Sequence, residues 1–340
     1  MANEKITSLE VARLAGVSQS AVSRVFTPGA SVSKKTAEKV HAAAAKLSYR
    51  PNILARSLIT GRSRIIGLVV AYLENYFYPE AVERLSNALQ AEGYHVLVFM
   101  ASHTAGNVDH VLQEILDYQV DGIIMASVAM SSELGARCEA AGVPVVLFNR
   151  YQEDQGVSSV ASDNFGGARD AARFLVAGGH RRIAHIAGWE GASTQRDRES
   201  GFRAGLAEAG LDFCGREIGN FNIDKAREAT RQLFASKERP DAVFVTNDHM
   251  AFGVMDVLRF ELGLSIPNDV SVVAYDDVPP AAWPAYDLTT VRQRARRMVA
   301  ATVEILLDRI AEQKTPPRHV AIESPLIVRG SARLPEGWKS

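Results

Sequence analysis

From residue 65 onward the chain alternates short apolar runs with amphipathic helical patterns. This alternation limits the possible folds more than any other feature. Strand candidates lie at 65–71, 94–100, 122–126 and 143–148, with a second set at 159–161, 183–187, 242–246 and 270–275. Between most of them fall helical patterns at 81–92, 108–118, 132–141, 166–177, 197–209, 225–235 and 250–262. Strands that alternate with helices form parallel sheets covered by helices. Two sets of strands imply two similar subdomains, and ligands in such sheets bind at the carboxyl ends of the strands.

Ahead of this body, the stretch 7–26, TSLEVARLAGVSQSAVSRVF, reads as two short helices joined by a tight turn. Thr7 and Glu10 have capping-box spacing, in which each satisfies a free N–H near the other. The first helix is expected to carry Leu9 and Ala12 inward, with Val11 and Leu14 beside them. Gly16 stops it, because glycine accepts the left-handed conformation at a helix end. Ser18 caps a second helix whose Ala21, Val22 and Val25 face inward at helical spacing. Gln19, Ser20, Ser23 and Arg24 are left outward, and short polar side chains at the start of such a helix suit base edges in a major groove. Ser33 caps a third helix over 34–47, with Ala37, Val40, Ala44 and Leu47 as its buried stripe.

Charge is divided unevenly. Residues 1–64 hold eleven Lys and Arg against three Asp and Glu, a formal +8, whereas the whole chain is −1 and the remainder therefore −9. A basic head on an acidic body directs the head at a polyanion. No apolar run reaches the roughly 18 residues a membrane span needs. The N-terminus lacks an apolar signal core, so a cytoplasmic protein without membrane contact is expected. Cys138 and Cys214 have no metal-ligand spacing. No Walker loop, HExxH, GxSxG or strand-linked GxGxxG occurs, so no catalytic residue, metal or cofactor is expected.

The segments GVSQSAVSRV, VS at 32–33, YRPNILARSL and TGRSRIIGLVV are collinear with the lactose-repressor (LacI/GalR) family, which the chain closely resembles through to its C-terminus. The resemblance implies an N-terminal all-α helix-turn-helix DNA-binding domain with a hinge helix. An α/β periplasmic-binding-protein-like (type I) effector domain of two parallel-sheet subdomains would follow. The headpiece would span 1–50 and the hinge and linker 51–63. The effector-binding and dimerisation domain would span 64–340, with one subdomain about 64–162 plus 292–324 and the other about 163–291 plus 325–340. Crossovers between them would fall near Asp163, Val291 and Ser324.

Residues 52–58 form a possible two-turn helix, too short to be stable in isolation. In the family this segment folds when two copies pair on a DNA minor groove. By resemblance Leu58 is the wedge entering a central base step, with Ala55 near the groove floor. Unstacking a step costs a few kcal/mol and yields a kinked duplex that meets more protein. Candidate DNA-binding residues are Thr7, Ser18, Gln19, Ser20, Ser23, Arg24, Ser33, Asn52, Ala55, Arg56 and Leu58.

Candidate cleft residues follow strand ends. Phe77 and Tyr78, in ENYFYPE, occupy the family's aromatic positions, although Tyr76 and Pro79 depart from the commoner NPFF pattern. Asp163 lies at the first crossover. Arg198, three before Gly201, matches the family's ligand arginine, and Phe221 matches an aromatic that stacks on ligand. Asn247 follows FVT and Asp276 follows AY. Carboxylates, an amide and an arginine fix hydroxyls or carboxylates, while aromatics cover the flat face of a sugar or base.

Asp276-Asp277 is read as a ligand-site turn rather than a catalytic dyad, with Asp248 and Asp277 capping helices or turns. The expectation is a homodimeric regulator, a repressor in action, on double-stranded operator DNA. Its effector would be a sugar, sugar acid or related metabolite. The tail has no heptads, so it offers no coiled coil. The rival readings are a sugar-binding transport protein without a DNA role and a sugar- or nucleoside-processing enzyme. The basic head opposes the first, and the lack of a nucleophile–base set opposes the second.

Overall fold

The computed structural model describes residues 6–27, 30–50, 62–101, 105–128, 132–152, 156–312 and 315–338. The chain divides into two compact units, Met1–Ser63 and Arg64–Ser340.

The first unit holds α1 (Ser8–Ala15), α2 (Gln19–Val25) and α3 (Lys34–Lys46). Local chemistry sets their ends. The Glu10 carboxylate accepts the Thr7 N–H at 2.7 Å and the Thr7 hydroxyl at 3.0 Å, which holds its carboxyl below the usual range. Gly16 ends α1 at φ 65°, and the Ser18 and Ser33 hydroxyls accept the N–H groups of Ala21 and Thr36, each at 3.2 Å. The core joins Val11, Ala12, Ala15, Val22, Val40, Ala43 and Ala44, and Phe26 closes it against the His41 and Tyr49 rings.

Leu9 and Leu14, expected inside, are instead 45% and 46% exposed. In an eight-residue helix the stripe Val11–Ala12–Ala15 meets α2 and α3, and Leu9 lies about 200° round the axis from Val11. On α3 the stripe includes Ala43 as well as Val40 and Ala44, while Ala37 and Leu47 are only half-buried.

The second unit has two sheets. The first orders β11 (His319–Ile322), β5 (Ser158–Ser162), β4 (Val145–Phe148), β3 (Gly122–Ala126), β1 (Ile65–Val70) and β2 (His95–Met100), all parallel. The second orders β12 (Leu326–Ile327), β10 (Thr289–Arg292), β9 (Ser271–Asp276), β8 (Ala242–Val245), β6 (Ile183–Ala187) and β7 (Gly215–Ile218). It is parallel except that β12 runs antiparallel to β10. The central strands are buried along their length, as parallel strands covered on both faces must be.

The connecting helices are α4 (Phe77–Ala91), α5 (Ala105–Asp117), α6 (Ser132–Ala140), α7 (Asn164–Ala177), α8 (Ser193–Ala207), α9 (Ile223–Leu233), α10 (Asp248–Asp256) and α11 (Ala295–Ala311). The reading at 250–262 joined α10 to a π-helical turn, Val257–Glu261. Strands β7, β10, β11 and β12 and helix α11 lie outside the elements read from the sequence. The chain passes between the sheets at Asp163, after β10, and between β11 and β12. Because β10 runs through Arg292, the second passage falls at Gln293, two residues past Val291. Strand order reverses at β1/β3 and at β6/β8, and the carboxyl ends at these two switch points face the ligand crevice of such folds.

Candidate functional site

Polar groups gather where those strand ends meet. From the first lobe come Tyr72, Asn75 and Tyr78 after β1, and Asn149 and Arg150 after β4. From the second come Thr194 and Arg198 on α8, Phe221 after β7, Asn247 after β8, and Asp276 ending β9. The lobes are closed on this cavity, leaving about 10 Å³ of free space, roughly room for one water.

Asp276 is the centre of the polar network. Its Oδ1 lies 3.2 Å from Arg198 Nη2 and accepts Gln293 Nε2 at 2.7 Å, while Oδ2 accepts Asn75 Nδ2 at 3.1 Å. Burial raises the Asp276 carboxyl, and Arg198, Asn75 and Gln293 pull it back. Its backbone has φ 129°, a strained conformation that costs of order 1–3 kcal/mol and persists only where surroundings enforce it. Behind it Asp248, fully buried, accepts the Val278 N–H at 3.0 Å and the Thr290 hydroxyl at 2.6 Å. Burial first, and the Asp276 charge second, push the Asp248 carboxyl well up.

Arg198 is placed by the packing of α8 on α7. A Cβ at Gly201, one turn along, would overlap the Phe165 backbone, so glycine lets the two helices approach. The guanidinium then donates to Asn164 Oδ1 at 2.8 Å and the Thr246 carbonyl at 2.7 Å, and lies 3.7 Å from the centre of the Tyr275 ring. Phe221 sits at φ 57°, and a Cβ at Gly188 would overlap its ring.

Of the residues expected in the cleft, Tyr78, Arg198, Phe221, Asn247 and Asp276 line this cavity. Phe77 and Asp163 do not. Phe77 is 3% exposed, stacks on Phe148 at 6.1 Å, and borders a second cavity of about 490 Å³ that shares Asp276 with the first and whose lining mixes Glu80 and Asp277 with Arg84, Arg292, Arg294, Arg296 and Arg297. Asp163 is exposed and caps α7 through Gly166 N–H at 2.9 Å. The cap of α10 is Asn247, whose Oδ1 accepts Met250 N–H at 3.0 Å, rather than Asp248. Asp277 pairs with Arg292 and Arg329, at 2.5 and 2.6 Å.

Sequence reasoning missed Tyr72, Asn75, Asn149, Arg150, Thr194 and the passage residue Gln293. The rule that found Asn247 and Asp276, polar residues following an apolar strand, also marks Asn149-Arg150 after VVLF.

In the head Gln19, Ser20, Ser23 and Arg24 are all exposed. Gln19 Nε2 donates to Ser8 Oγ at 2.9 Å, and Arg24 Nε to the Ser20 carbonyl at 3.4 Å. Asn52, Ala55, Arg56 and Leu58 fall outside the described residues. Among the described residues, no helix is long and apolar enough to cross a membrane, and no group of three or more His, Cys, Asp or Glu is placed to hold a metal.

Residues 7–52 match the model for bacterial regulatory proteins of the lacI family, and residues 172–332 match a periplasmic binding protein-like domain. The HTH-type transcriptional repressor PurR of Vibrio vulnificus (strain CMCP6) is 31% identical over 330 residues, covering 96% of this chain and 98% of that repressor. The ribose operon repressor of Escherichia coli (strain K12) is 32% identical over 331 residues, covering 96% and 99%. Among solved structures, the Lac repressor dimer bound to operator and the anti-inducer ONPF superposes with a TM-score of 0.87 at 28% identity, covering 96% and 99%.

Proposed function

The chain belongs to the lacI family of bacterial regulatory proteins, and from that premise we propose that it is a cytoplasmic, ligand-responsive transcriptional repressor. It binds a pseudo-palindromic operator as a homodimer and is controlled by a small metabolite, sugar-like or sugar-acid-like, between its lobes. The observation that carries the control is the hydrogen bond from Asn75 of the first lobe to Asp276 of the second. A ligand at these strand ends must compete with the contacts that join the lobes. It therefore biases how they meet, and a coupling of ~1–3 kcal/mol is ample to change operator occupancy.

At the DNA end, Lys and Arg of the head supply affinity through phosphates, and Gln19, Ser20 and Arg24 read base edges. Gln19 is suited to adenine, and Arg24 to guanine or a phosphate. The hydrogen bond of Gln19 to Ser8 is exchanged for a base contact on binding. The segment carrying Asn52, Ala55, Arg56 and Leu58 pairs with its twin on the minor groove. One head contacts half an operator, so two-fold symmetry of the protein matches the pseudo-palindrome. The chain is read as non-enzymatic, because its buried carboxylates serve packing and ion pairing.

Selection of bound duplexes from a random library tests this reading. The expected pool is a pseudo-palindrome with two half-sites. A featureless pool would count against it.

A further inference from the structure

We infer that the metabolite held between the lobes is an acid, a polyhydroxylated carboxylate of the sugar-acid class, and that Arg150 is the residue selecting it. This rests on the regulator reading above and narrows its ligand.

Arg150 is 5% exposed. Its Nη1 donates to the Asn149 carbonyl at 2.9 Å and to Thr194 Oγ1 at 2.6 Å, and its Nη2 donates to Ser127 Oγ at 3.0 Å. Every one of these partners is neutral. Its Nε is buried and has no hydrogen-bond partner. A guanidinium stays charged at any accessible pH, and a buried charge without a counter-ion is costly. Arg198 in the same cavity shows the contrast, since Asp276 neutralises it. Among the described residues, the charged lining groups are thus two guanidiniums and one carboxylate. An incoming anion would complete the balance, and a neutral sugar would leave Arg150 uncompensated.

The neighbouring atoms add the hydroxyls. Asn149 Nδ2 donates to the Tyr78 hydroxyl at 3.2 Å, while Asn149 Oδ1 is buried and unpaired. A phenol hydroxyl can donate or accept, so one amide atom is left over in either orientation of the amide. That atom suits a ligand hydroxyl. The Arg150 guanidinium carbon lies over the Phe221 ring, 5.8 Å from its centre, and Phe221 lines the same cavity as an apolar wall suited to the C–H side of the molecule. Carboxylate on Arg150, hydroxyl on Asn149 and C–H face on Phe221 describe one small hydroxy acid.

Titration calorimetry on the full chain tests this with D-gluconate, D-glucuronate and D-galacturonate against D-glucose and D-galactose. At least one acid should saturate the site at least ~10-fold more tightly than its neutral counterpart, the size of one charge-assisted contact. Arg150→Gln should weaken that acid by ~10-fold or more, and Arg150→Lys, which keeps the charge, should recover part of the loss. A neutral sugar binding as tightly as its acid would overturn the inference. So would acid binding unaffected by Arg150→Gln, or no saturation by any of the three acids. Operator selection is read separately: if it succeeds while the acids fail, only the ligand class falls, and if it fails, the underlying reading falls whatever the calorimeter records.

Discussion

Asn75 Nδ2 donates to Asp276 Oδ2 at 3.1 Å across 201 residues of sequence, and this bond ties the end of β1 in one lobe to the end of β9 in the other. Arg150 to Thr194 at 2.6 Å, and Tyr151 to Ser193 and Asp197 at 3.1 and 2.8 Å, close the same crevice. Ser162 and Gln293 extend the seam, since the serine hydroxyl donates to Gln293 Oε1 at 2.9 Å and Gln293 in turn donates to Asp276. Hydrogen bonds that a ligand can replace therefore help to hold the closed state, beside an apolar cluster that takes in Phe77, Tyr78 and Phe148 of the first lobe and Phe221 and Val278 of the second.

Asp276→Asn should be strongly destabilising. It leaves Arg198, 2% exposed, without its counter-ion, and removing one partner of a buried pair costs roughly 3–5 kcal/mol. Urea unfolding of wild type and variant gives the difference. A loss under about 1 kcal/mol would mean that the pair is not what holds Arg198 in place.

Gly188→Ala should disturb the ligand wall more than the fold. The new methyl overlaps the Phe221 ring, which must swing out of the cavity. Overpacking of this kind costs typically ~1–3 kcal/mol. Hydrogen exchange should rise around Phe221 while the β6 and β8 amides stay protected; unchanged exchange at Phe221 would contradict the tight contact.

Stability should fall on mild acidification. His185 is fully buried between the Phe213 and Phe244 rings, and its Nδ1–H donates to the Phe244 carbonyl at 3.1 Å. Burial pushes its pKa down to about 4, although Glu199 at 3.8 Å pulls the other way. The unfolded chain takes up this proton first, near pH 6.5, so the stabilisation is complete above that pH and is lost as pH falls toward 4. A shift of this size is worth about 3 kcal/mol. His180 and His249 are lowered by burial in the same sense. The urea midpoint should drop between pH 7 and pH 4.5, and by less in His185→Phe. A flat profile over that range would contradict the assignment.

Gln19→Ala should relax discrimination at a single operator position, by roughly 1–3 kcal/mol, without changing the salt dependence set by the phosphate contacts. Selection of bound duplexes with wild type and variant reads both. An identical consensus from the two proteins would remove Gln19 from the base-reading set.

The parts legible in the sequence are those with local signals. Gly16, Ser18 and Ser33 mark helix ends through their own backbone and hydroxyl chemistry, and the apolar runs of β1, β3 and β8 stand out because both faces are covered. Where tertiary packing decides, local pattern misled. Leu9 and Leu14 are more apolar than Ala12 and Ala15, yet the small residues face the neighbouring helices and the leucines face outward. Strand β7, GREI, is a half-exposed edge and carries no apolar run. In the cleft, Arg198 and Asp276 were found from the resemblance and from strand-end position. Asn75 was passed over beside the more conspicuous aromatics Phe77 and Tyr78, and Arg150 beside the aromatic Tyr151. Asp163, expected to contact ligand at the first crossover, has a side chain that serves as a helix cap.

The most direct measurement is fluorescence anisotropy of the full chain on a selected pseudo-palindromic duplex and on a scrambled duplex of the same length and composition, at one fixed salt concentration. The account predicts binding to the selected duplex at least ~10³-fold tighter than to the scrambled one. Equal affinity for the two would contradict it.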